Sequence, residues 1–383
     1  MQNNTLSQGT TANTISLRVG FPDPNSLDTP PFKEAARRVL ASPDLFKALQ
    51  YGEEQGNFAL INYLVEKINR EQNISVGPNQ LMVAGSTHAV DMIAPLYTKP
   101  GGSVIVEAPT YADALHIFRD HGVKLHSVGV DENGIIVEAL QQLLEGLSGT
   151  QSPPRLLYTI PNFHNPTGVT LNEQRRVQIL QLARQYDLTI VEDDVYRDLG
   201  FDTPIPPSFF ALADSVNTIQ IGSFSKTLAP GLRLGWIIAS AETIQEFVGC
   251  GTTQMGGGAN PFAAQIVAEY CQQGHWDTHI EQLRSLYRQR RDIMLAALAL
   301  YMPPEVSWTK PSGGFFVWVT LPEHVPALVV KQRASERGVL VASGEGYFVN
   351  PGAGKHNLRL TYSFASLSDI ETAVRILSEI VVG

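Results

Sequence analysis

The sequence is poor in the features that stabilise secreted proteins or hold proteins in membranes. Its 383 residues include only two cysteines, Cys250 and Cys271, too few for a disulfide framework in a chain of this length. No apolar run reaches the roughly 18 to 20 residues that cross a bilayer. The stretch before Arg18 has neither the basic nor the apolar region of a secretory signal peptide. We therefore expect a cytoplasmic protein without a membrane partner.

Positive charge is also scarce. The chain has 28 Lys and Arg residues against 37 Asp and Glu residues, which gives a net charge of −9. Such a field repels nucleic acids, and no basic patch offsets it, so we expect no nucleic-acid partner. The cysteine spacing matches no metal motif, and we expect no metal. Hydrophobic residues make up 43% of the chain, which is typical of a globular protein of about two or three domains.

Short apolar runs alternate with amphipathic stretches through most of the chain. The runs that read as buried strands lie at 103–107, 155–160, 188–191, 218–221 and 234–239. Helical spacing of apolar residues recurs at 57–71, 87–97 and 171–186. This alternation predicts an α/β fold with a mainly parallel central sheet flanked by helices.

A second, smaller region follows a long helix predicted over residues 275–300. Its strand-like and helical segments lie at 308–321, 326–337, 339–342, 357–362 and 367–380, a mixture that favours an α+β domain. We predict four parts: a flexible N-terminal arm at 1–15, an N-terminal segment at 16–48 that joins the small domain, a large domain at 49–287 and a small C-terminal domain at 288–383.

Lys226 lies in the most informative stretch, residues 222–236, between two predicted strands. A lysine in a loop walled by apolar residues is desolvated, which lowers its pKa and makes it a nucleophile able to form a Schiff base. Ser223, Ser225 and Arg233 beside it are groups that hold a phosphate. The same stretch also fits a serine-rich turn with two solvated cations, so it does not decide the function alone.

Asp193 and Tyr196 follow the predicted strand at 188–191, where open α/β sheets bind their ligands. A carboxylate at this position is able to keep a ring nitrogen protonated, and a phenol one turn further on reaches a ring oxygen. Metal ligation or simple solvated acids are the alternative interpretation, which we favour for Glu192 and Asp194.

Two further loops place polar groups at strand ends. Asn165 begins the turn Asn165-Pro166-Thr167-Gly168. Ser86 and Thr87 open a predicted helix, whose N–H groups and hydroxyls form an anion site. In isolation, any turn could have the first sequence, and for Ser86 and Thr87 we favour an ordinary helix cap over an anion site.

Together these motifs resemble the class I/II aminotransferases, enzymes of fold type I that use pyridoxal 5'-phosphate (PLP), and within them the kynurenine/2-aminoadipate aminotransferase branch. The resemblance extends from residue 15 to the C-terminus and includes the segments 15–24, 51–52, 107–111, 311–316 and 357–360. It implies a transaminase that moves the amino group of an L-amino acid to a 2-oxo acid by a ping-pong mechanism through a Lys226 aldimine and pyridoxamine phosphate.

The resemblance also implies roles for individual residues. Lys226 forms the internal aldimine and then moves the substrate proton as general base and acid. Asp193 pairs with the pyridinium nitrogen, Asn165 and Tyr196 hydrogen-bond the ring hydroxyl, and Tyr111 stacks on the ring. The phosphate set comprises Ser86, Thr87, Ser223, Ser225 and Arg233, with Tyr51 supplied by the neighbouring subunit of a homodimer.

The substrate residues follow from the same resemblance. Arg359 clamps the α-carboxylate, for which a planar fork suits better than lysine, and Gly20 belongs to the segment that closes over the site. Family members often carry Gln at Thr87, so the contact of that side chain is less well supported than the backbone contact. Arg18 stands where many relatives have a small or apolar residue. It either recognises the distal carboxylate of a donor such as 2-aminoadipate or glutamate, or faces solvent.

Two other functions remain open at this point. The same cofactor anchors serve β-eliminating lyases and synthases, because function lies in the site rather than in the fold. Some transcription regulators append this fold to a DNA-binding domain, but the segment before Ser16 is too short and too uncharged for one. Transamination is the function we predict.

Overall fold

The computed structural model describes residues 14–383, so the predicted flexible arm at 1–15 lies almost entirely outside the described residues. The strands are β1 Ile15–Ser16, β2 Leu81–Val83, β3 Ser103–Ala108, β4 Lys124–Asp131, β5 Gly134–Ile135, β6 Leu156–Thr159, β7 Thr189–Asp193, β8 Thr218–Ser223, β9 Gly235–Ile238, β10 Ser307–Trp308, β11 Phe316–Thr320, β12 Val339–Leu340, β13 Ala342–Ser343 and β14 Asn357–Thr361.

The α-helices pack around three sheets, which have eight, four and two strands. They are α1 Pro30–Ala41, α2 Leu45–Leu49, α3 Phe58–Gln72, α4 Ser86–Tyr97, α5 Ala112–Asp120, α6 Val137–Leu147, α7 Glu173–Tyr186, α8 Phe209–Leu212, α9 Ala241–Val248, α10 Pro261–Gln272, α11 His275–Tyr301, α12 Ala327–Glu336 and α13 Leu367–Val382. Among residues 14–383, no helix is long and apolar enough to cross a membrane.

The central sheet has the strand order β2-β9-β8-β7-β6-β3-β4-β5. Strands β4, β3, β6, β7 and β8 run parallel to their neighbours in this series, whereas β9 is antiparallel to both β8 and β2. Val104 and Val106 pack with α4 and α5 on one face, and Ile105 packs with α6 and α7 on the other, because successive side chains of a strand point to opposite faces. The predicted mainly parallel sheet with helices on both faces is confirmed.

The order of the central sheet also creates the crevice in which the site lies. The chain passes from β3 to β4 on one side and later returns to place β6 on the other side of β3. Loops that follow β3, β6, β7 and β8 therefore leave the sheet at the same carboxyl edge, near this change of direction, where open α/β sheets bind ligands.

The second sheet is antiparallel and has the order β10-β11-β14-β13. Beside it, β1 pairs in parallel with β12, so the N-terminal segment reaches this smaller sheet through its first strand. The long helix α11 crosses between two cores. Ile280 packs with α3 and α10, whereas Leu283 and the apolar residues after it pack with α13 and the smaller sheet.

The four-part division of the chain stays a prediction. Leu17 packs in the core of the smaller sheet, while Ala35 and Val39 of α1 pack in the core formed by α3 and α10. The segment predicted at 16–48 thus contacts both cores.

One predicted strand is wrong in its extent. Residues 308–321 form two strands, β10 and β11, with a turn between them in which Gly314 has a φ of +72°. The sequence Pro311-Ser312-Gly313-Gly314 explains the interruption, because proline lacks the ladder donor and glycine adopts the left-handed backbone that a tight turn needs.

Candidate active site

A cavity of about 660 Å³ opens at the carboxyl edge of the central sheet. With the exception of Tyr51, every residue proposed for the site from the sequence lines it. These residues are Arg18, Gly20, Ser86, Thr87, Tyr111, Asn165, Asp193, Tyr196, Ser223, Ser225, Lys226, Arg233 and Arg359. They come from loops far apart in the chain, and the fold brings them together.

Lys226 lies three residues beyond β8 and extends its amino group into this cavity. Its Nζ donates a hydrogen bond of 3.1 Å to the carbonyl oxygen of Gly20. The pKa of Lys226 is lowered to about 8, mainly by burial and then by the charge of Arg359, while the charge of Asp193 opposes the shift. An appreciable fraction of this amine is therefore neutral near pH 7 to 8, as the sequence predicted for a desolvated lysine.

Asp193, the last residue of β7, is buried at the floor of the cavity. Its Oδ2 accepts a hydrogen bond from the phenol of Tyr158, while its buried Oδ1 has no hydrogen-bond partner among the described residues. Burial raises the pKa of Asp193 to about 6, against the lowering effect of the Tyr158 bond. Because buried oxygens are normally hydrogen-bonded, the unpartnered Oδ1 indicates a donor that belongs to a ligand.

Two aromatic rings and two hydrogen bonds hold the guanidinium of Arg359. Its guanidinium carbon lies 4.4 Å from the ring centre of Phe316 and 5.0 Å from that of Tyr347. One terminal nitrogen donates to Asn165 Oδ1 at 2.9 Å, and the other donates to the carbonyl oxygen of Arg18 at 2.7 Å. The planar fork is thus held in one orientation before any ligand arrives, which reduces the entropy lost on binding.

An anion cradle lies at the start of α4. Ser86 and Thr87 begin this helix after Gly85, and Arg233 donates from Nη2 to Thr87 Oγ1 at 3.4 Å. A Cβ at Gly85 would lie 2.9 Å from the carbonyl oxygen of Arg233, so only glycine permits this close approach. Ser223 and Ser225 enter the same cavity from the loop after β8. Helix N–H groups, hydroxyls and a guanidinium together suit a phosphate.

Two tyrosines complete the wall of the cavity. Tyr111, three residues beyond β3, donates from its hydroxyl to Asp113 Oδ2 at 2.7 Å. The ring of Tyr196 packs edge-on against Phe316 with ring centres 5.6 Å apart, and Lys226 Nζ lies 6.0 Å from its centre. Burial raises the pKa of Tyr111 and of Tyr196, so both phenols stay protonated and able to donate at neutral pH.

Glu192 and Asp194, interpreted from the sequence as solvated acids or metal ligands, are buried structural acids, and that interpretation is wrong. Asp194 accepts hydrogen bonds from Asn162, Arg197 and Gln220. Glu192 pairs with buried Arg176 of α7 at 3.4 Å. Within residues 14–383, no group of His, Cys, Asp and Glu side chains is arranged to hold a metal ion.

The sequence reasoning missed several residues that contact the proposed site. Tyr158 lies inside β6 and reads as an ordinary core residue, yet its hydroxyl holds Asp193. Phe316 packs on Arg359, and Lys331 of α12 lines the same cavity. The contact between Phe316 and Arg359 follows only from the pairing of β11 with β14, because Phe316 lies diagonally across from Arg359 in that register.

Tyr51 does not line this cavity. Its side chain is 82% exposed and faces a second, shallow cavity of about 460 Å³, which is lined by segments 49–54 and 253–261. Leu49 and Phe46 beside it are also exposed. This segment therefore exposes apolar side chains on the surface of the chain.

Comparison with known proteins places the chain in a family. The sequence profile described as aminotransferase class I and II matches residues 12–377. Aromatic-amino-acid aminotransferase 1 of Thermococcus litoralis is 35% identical over 371 residues, which cover 96% of this chain and 88% of the relative.

Solved structures agree with this match. Kynurenine aminotransferase of Pyrococcus horikoshii, solved with PMP, superposes with a TM-score of 0.91 at 33% identity, over 97% of this chain and 91% of that chain. The alpha-aminoadipate aminotransferase of Thermus thermophilus, solved with N-(5'-phosphopyridoxyl)-L-leucine, superposes with a TM-score of 0.88 at 33% identity, over 97% of this chain and 92% of that chain.

Proposed function

The chain belongs to the class I and II aminotransferases, and we propose that the cavity around Lys226 is its active site. The protein is a PLP-dependent aminotransferase of fold type I that acts on an amino acid and a 2-oxo acid. One observation carries the assignment of the site: the amine of Lys226, the unpartnered oxygen of Asp193 and the oriented fork of Arg359 all line the same cavity.

The residues of this cavity fit PLP. A pyridinium N–H would supply the donor that buried Asp193 Oδ1 lacks among the described residues. The cradle of Ser86, Thr87 and Arg233 suits the phosphate, and the protonated phenol of Tyr196 suits the ring oxygen. When bound, the cofactor supplies an electron sink for the charge that develops at the substrate Cα as its proton leaves.

Each side chain then has a distinct role. Lys226, with its pKa lowered to about 8, accepts a proton at Nζ and returns it, which suits a general base that also acts as an acid. Asp193 is largely ionised at neutral pH, since its pKa is about 6, and it favours positive charge beside it. Arg359 binds the α-carboxylate. A Cβ added at Gly20 would lie 2.8 Å from the Phe316 ring, so glycine at this position lets the covering segment lie close to the site.

Initial-rate kinetics test the proposed reaction. A ping-pong exchange predicts parallel double-reciprocal lines when an amino acid donor is varied at several fixed concentrations of a 2-oxo acid. Release of ammonia or of a fragment of the donor side chain, without formation of a new amino acid, would instead assign lyase chemistry. Chromatographic analysis of the products separates the two results.

Replacement of Arg359 by lysine is expected to raise the KM for the amino acid donor about 10- to 100-fold with a smaller change in kcat. The reason is that lysine keeps the charge but loses the bidentate, charge-assisted pair with the carboxylate, which is worth about 1.5–3 kcal/mol. Arg333→Lys on the exposed surface of α12 is the matched control. An unchanged KM for the donor in Arg359→Lys would show that Arg359 does not bind the α-carboxylate.

We also propose a homodimer in which Tyr51 of the partner subunit completes the phosphate cradle. Support comes from the exposure of Tyr51, 82%, and of Leu49, 67%, because clustered exposed apolar residues mark interaction surfaces. A cytoplasmic location is part of the same proposal and is supported by the two free cysteines, of which Cys271 is buried.

Tyr51→Phe is expected to leave the dimer intact in light scattering and to weaken PLP binding about tenfold, the loss of one hydrogen bond to a charged group. Mixed dimers give a sharper result. A heterodimer of Tyr51→Phe and Lys226→Ala chains contains one site with native Lys226 and, from the partner, native Tyr51, so its activity should require no more PLP than the wild type, whereas the Tyr51→Phe homodimer should require about tenfold more. A fully active monomer, or a heterodimer whose activity requires as much PLP as the Tyr51→Phe homodimer, would contradict the proposal.

A further inference from the structure

Two buried ionisable side chains close to the active-site cavity have no role in the proposed reaction. The side chains of Glu107, in β3, and of His164, in the loop after β6, are each 2% exposed, and neither lines the cavity. A buried carboxylate is costly to keep ionised unless the protein supplies hydrogen-bond donors to it. The donors that surround Glu107 therefore show which part of the fold this pair serves.

The Glu107 carboxylate collects its donors from the end of β6 and from the loop that follows. Its Oε1 accepts a hydrogen bond from the hydroxyl of Thr159 at 2.7 Å, and its Oε2 accepts the backbone N–H of Ile160 at 3.0 Å. His164 Nε2 lies 2.9 Å from the same Oε2, although without the alignment of an ideal hydrogen bond. The carboxylate thus ties β3 to both ends of the segment 159–164.

The other ring nitrogen of His164 closes the turn that contains Asn165. Nδ1 lies 2.8 Å from the hydroxyl oxygen of Thr167 and accepts the backbone N–H of the same residue at 3.4 Å. Because a backbone N–H only donates, the ring hydrogen is assigned to Nε2, the nitrogen that faces the carboxylate. The backbone of His164 also bonds to residues 168–169. Asn165 therefore lies in a turn that is fastened on both sides of it.

Asn165 connects this turn to the proposed reaction. Its Oδ1 accepts a hydrogen bond from Arg359 at 2.9 Å, so the amide N–H groups are what it has left to offer the cavity that it lines. An amide donor suits the ring oxygen of PLP. A change in the conformation of the turn would displace both contacts at once, the one to the α-carboxylate fork and the one to the cofactor ring.

We infer that His164, anchored on Glu107, is a positioning residue that orients the amide of Asn165. The inference rests on the proposed function, because it takes Asn165 as a donor to the cofactor ring and Arg359 as the α-carboxylate site. His164 does not line the cavity, so it acts through Asn165. It holds the turn in one conformation before any ligand arrives, and such preorganisation strengthens binding because less entropy is lost.

A double-mutant cycle on the KM for the amino acid donor tests whether His164 acts through Asn165. His164→Leu should raise this KM about 3- to 10-fold, the scale of one lost hydrogen bond. In the Asn165→Ala background the same change should raise the KM by less than about twofold, because the amide that His164 positions is absent. His164→Gln places an amide N–H near the position of Nε2 and should restore most of the wild-type KM.

A second readout needs no substrate. The visible absorbance of bound PLP is titrated with pH in the wild type and in His164→Leu. Loss of a hydrogen bond to the ring oxygen leaves more negative charge on that oxygen, so the nitrogen that joins PLP to Lys226 keeps its proton to a higher pH. The midpoint of the titration should therefore rise by about one pH unit in His164→Leu and return toward the wild-type value in His164→Gln.

His279→Leu is the matched control, because His279 is a buried histidine of α11 that does not line the cavity. It should change neither the KM nor the midpoint. Thr167→Val provides a second variant should His164→Leu fail to fold. It removes only the hydroxyl beside Nδ1 of the imidazole and should move both readouts in the same direction by a smaller amount. Equal factors in the two backgrounds of the cycle, or an unchanged midpoint in the folded variant, would overturn the inference.

The outcome is separable from the fate of the proposed function. If the wild type transaminates an amino acid but the effects of His164→Leu and Asn165→Ala simply add, only the positioning role is refuted. If the wild type transaminates no amino acid at all, the proposed function fails, and the absorbance titration still measures the effect of His164 on bound PLP.

Discussion

Lys226→Ala is expected to lower kcat by about 10³-fold or more while the chain folds normally. The variant loses the amine that accepts and returns the substrate proton, and proton transfer by a positioned side chain contributes about 10²- to 10⁴-fold alone. It also loses the nucleophile that binds the cofactor covalently. Removal of the lysine is not expected to destabilise the chain, because burial makes its charged form unfavourable and lowers its pKa to about 8.

The proposed covalent attachment of PLP to Lys226 has a direct chemical test. Reduction of the PLP-loaded protein with borohydride should fix the cofactor on the peptide that contains Lys226, as found by mass spectrometry after digestion. Lys310→Ala, which removes an exposed lysine, should keep both the label and the activity. A label on another lysine of the wild type, or near-normal turnover by Lys226→Ala, would contradict the assignment.

Asp193→Asn is expected to lower kcat by about 10²- to 10³-fold, the scale of one well-placed electrostatic contact. The amide keeps the shape and still accepts from Tyr158, but it lacks the negative charge that favours a protonated ring nitrogen. Asp120→Asn, which changes an exposed acid of α5, serves as the control and should leave kcat unchanged.

Without cofactor, Asp193→Asn should be more stable than the wild type, although its kcat is lower. Burial raises the pKa of Asp193 to about 6, above the ordinary value of about 3.9 for an unfolded chain. Ionisation therefore costs the folded state stability above pH 6, and this cost disappears below about pH 4, where the carboxyl is protonated in both states. Apo Asp193→Asn should be more stable than the wild type by about 1–3 kcal/mol at pH 7.5 and equally stable at pH 4.

Denaturant unfolding at the two pH values checks this prediction, and addition of PLP extends it. The cofactor should stabilise the wild type more than Asp193→Asn, since only the wild type offers the ring nitrogen a charged partner. If the apo wild type is instead more stable than apo Asp193→Asn at pH 7.5, the Asp193 carboxylate is already stabilised by the protein without a ligand.

The sequence contained enough to predict where the main site residues lie. Asp193, Asn165 and Lys226 each follow a short apolar run, and the carboxyl ends of parallel strands meet at one edge. The prediction that they share one cavity therefore requires only the alternation of strands and helices, which is a strong local signal in the sequence. Arg359 is different: as an isolated strand arginine it has no local signal, and only the resemblance to a family singled it out.

The contacts around these residues could not be predicted, because they depend on tertiary pairing. Arg176 reaches Glu192 from another element, α7, so the acidic run that includes Asp194 looked solvated in sequence. Lys331 is one of several charged residues on a helix with little apolar periodicity, and only the packing of α12 on the smaller sheet brings it to the cavity. Sequence patterns report the period of a helix or strand, not which neighbour its side chain meets.

The most direct test of the account is a half-reaction followed by visible absorbance. The PLP-loaded protein is mixed with single amino acids, without any 2-oxo acid, while the absorbance of the bound cofactor is recorded. Transamination at the Lys226 site predicts that a suitable donor bleaches the band stoichiometrically and that a 2-oxo acid restores it, whereas Lys226→Ala shows no such cycle. A band that persists with every donor, or that returns unaided as ammonia is released, would contradict the account.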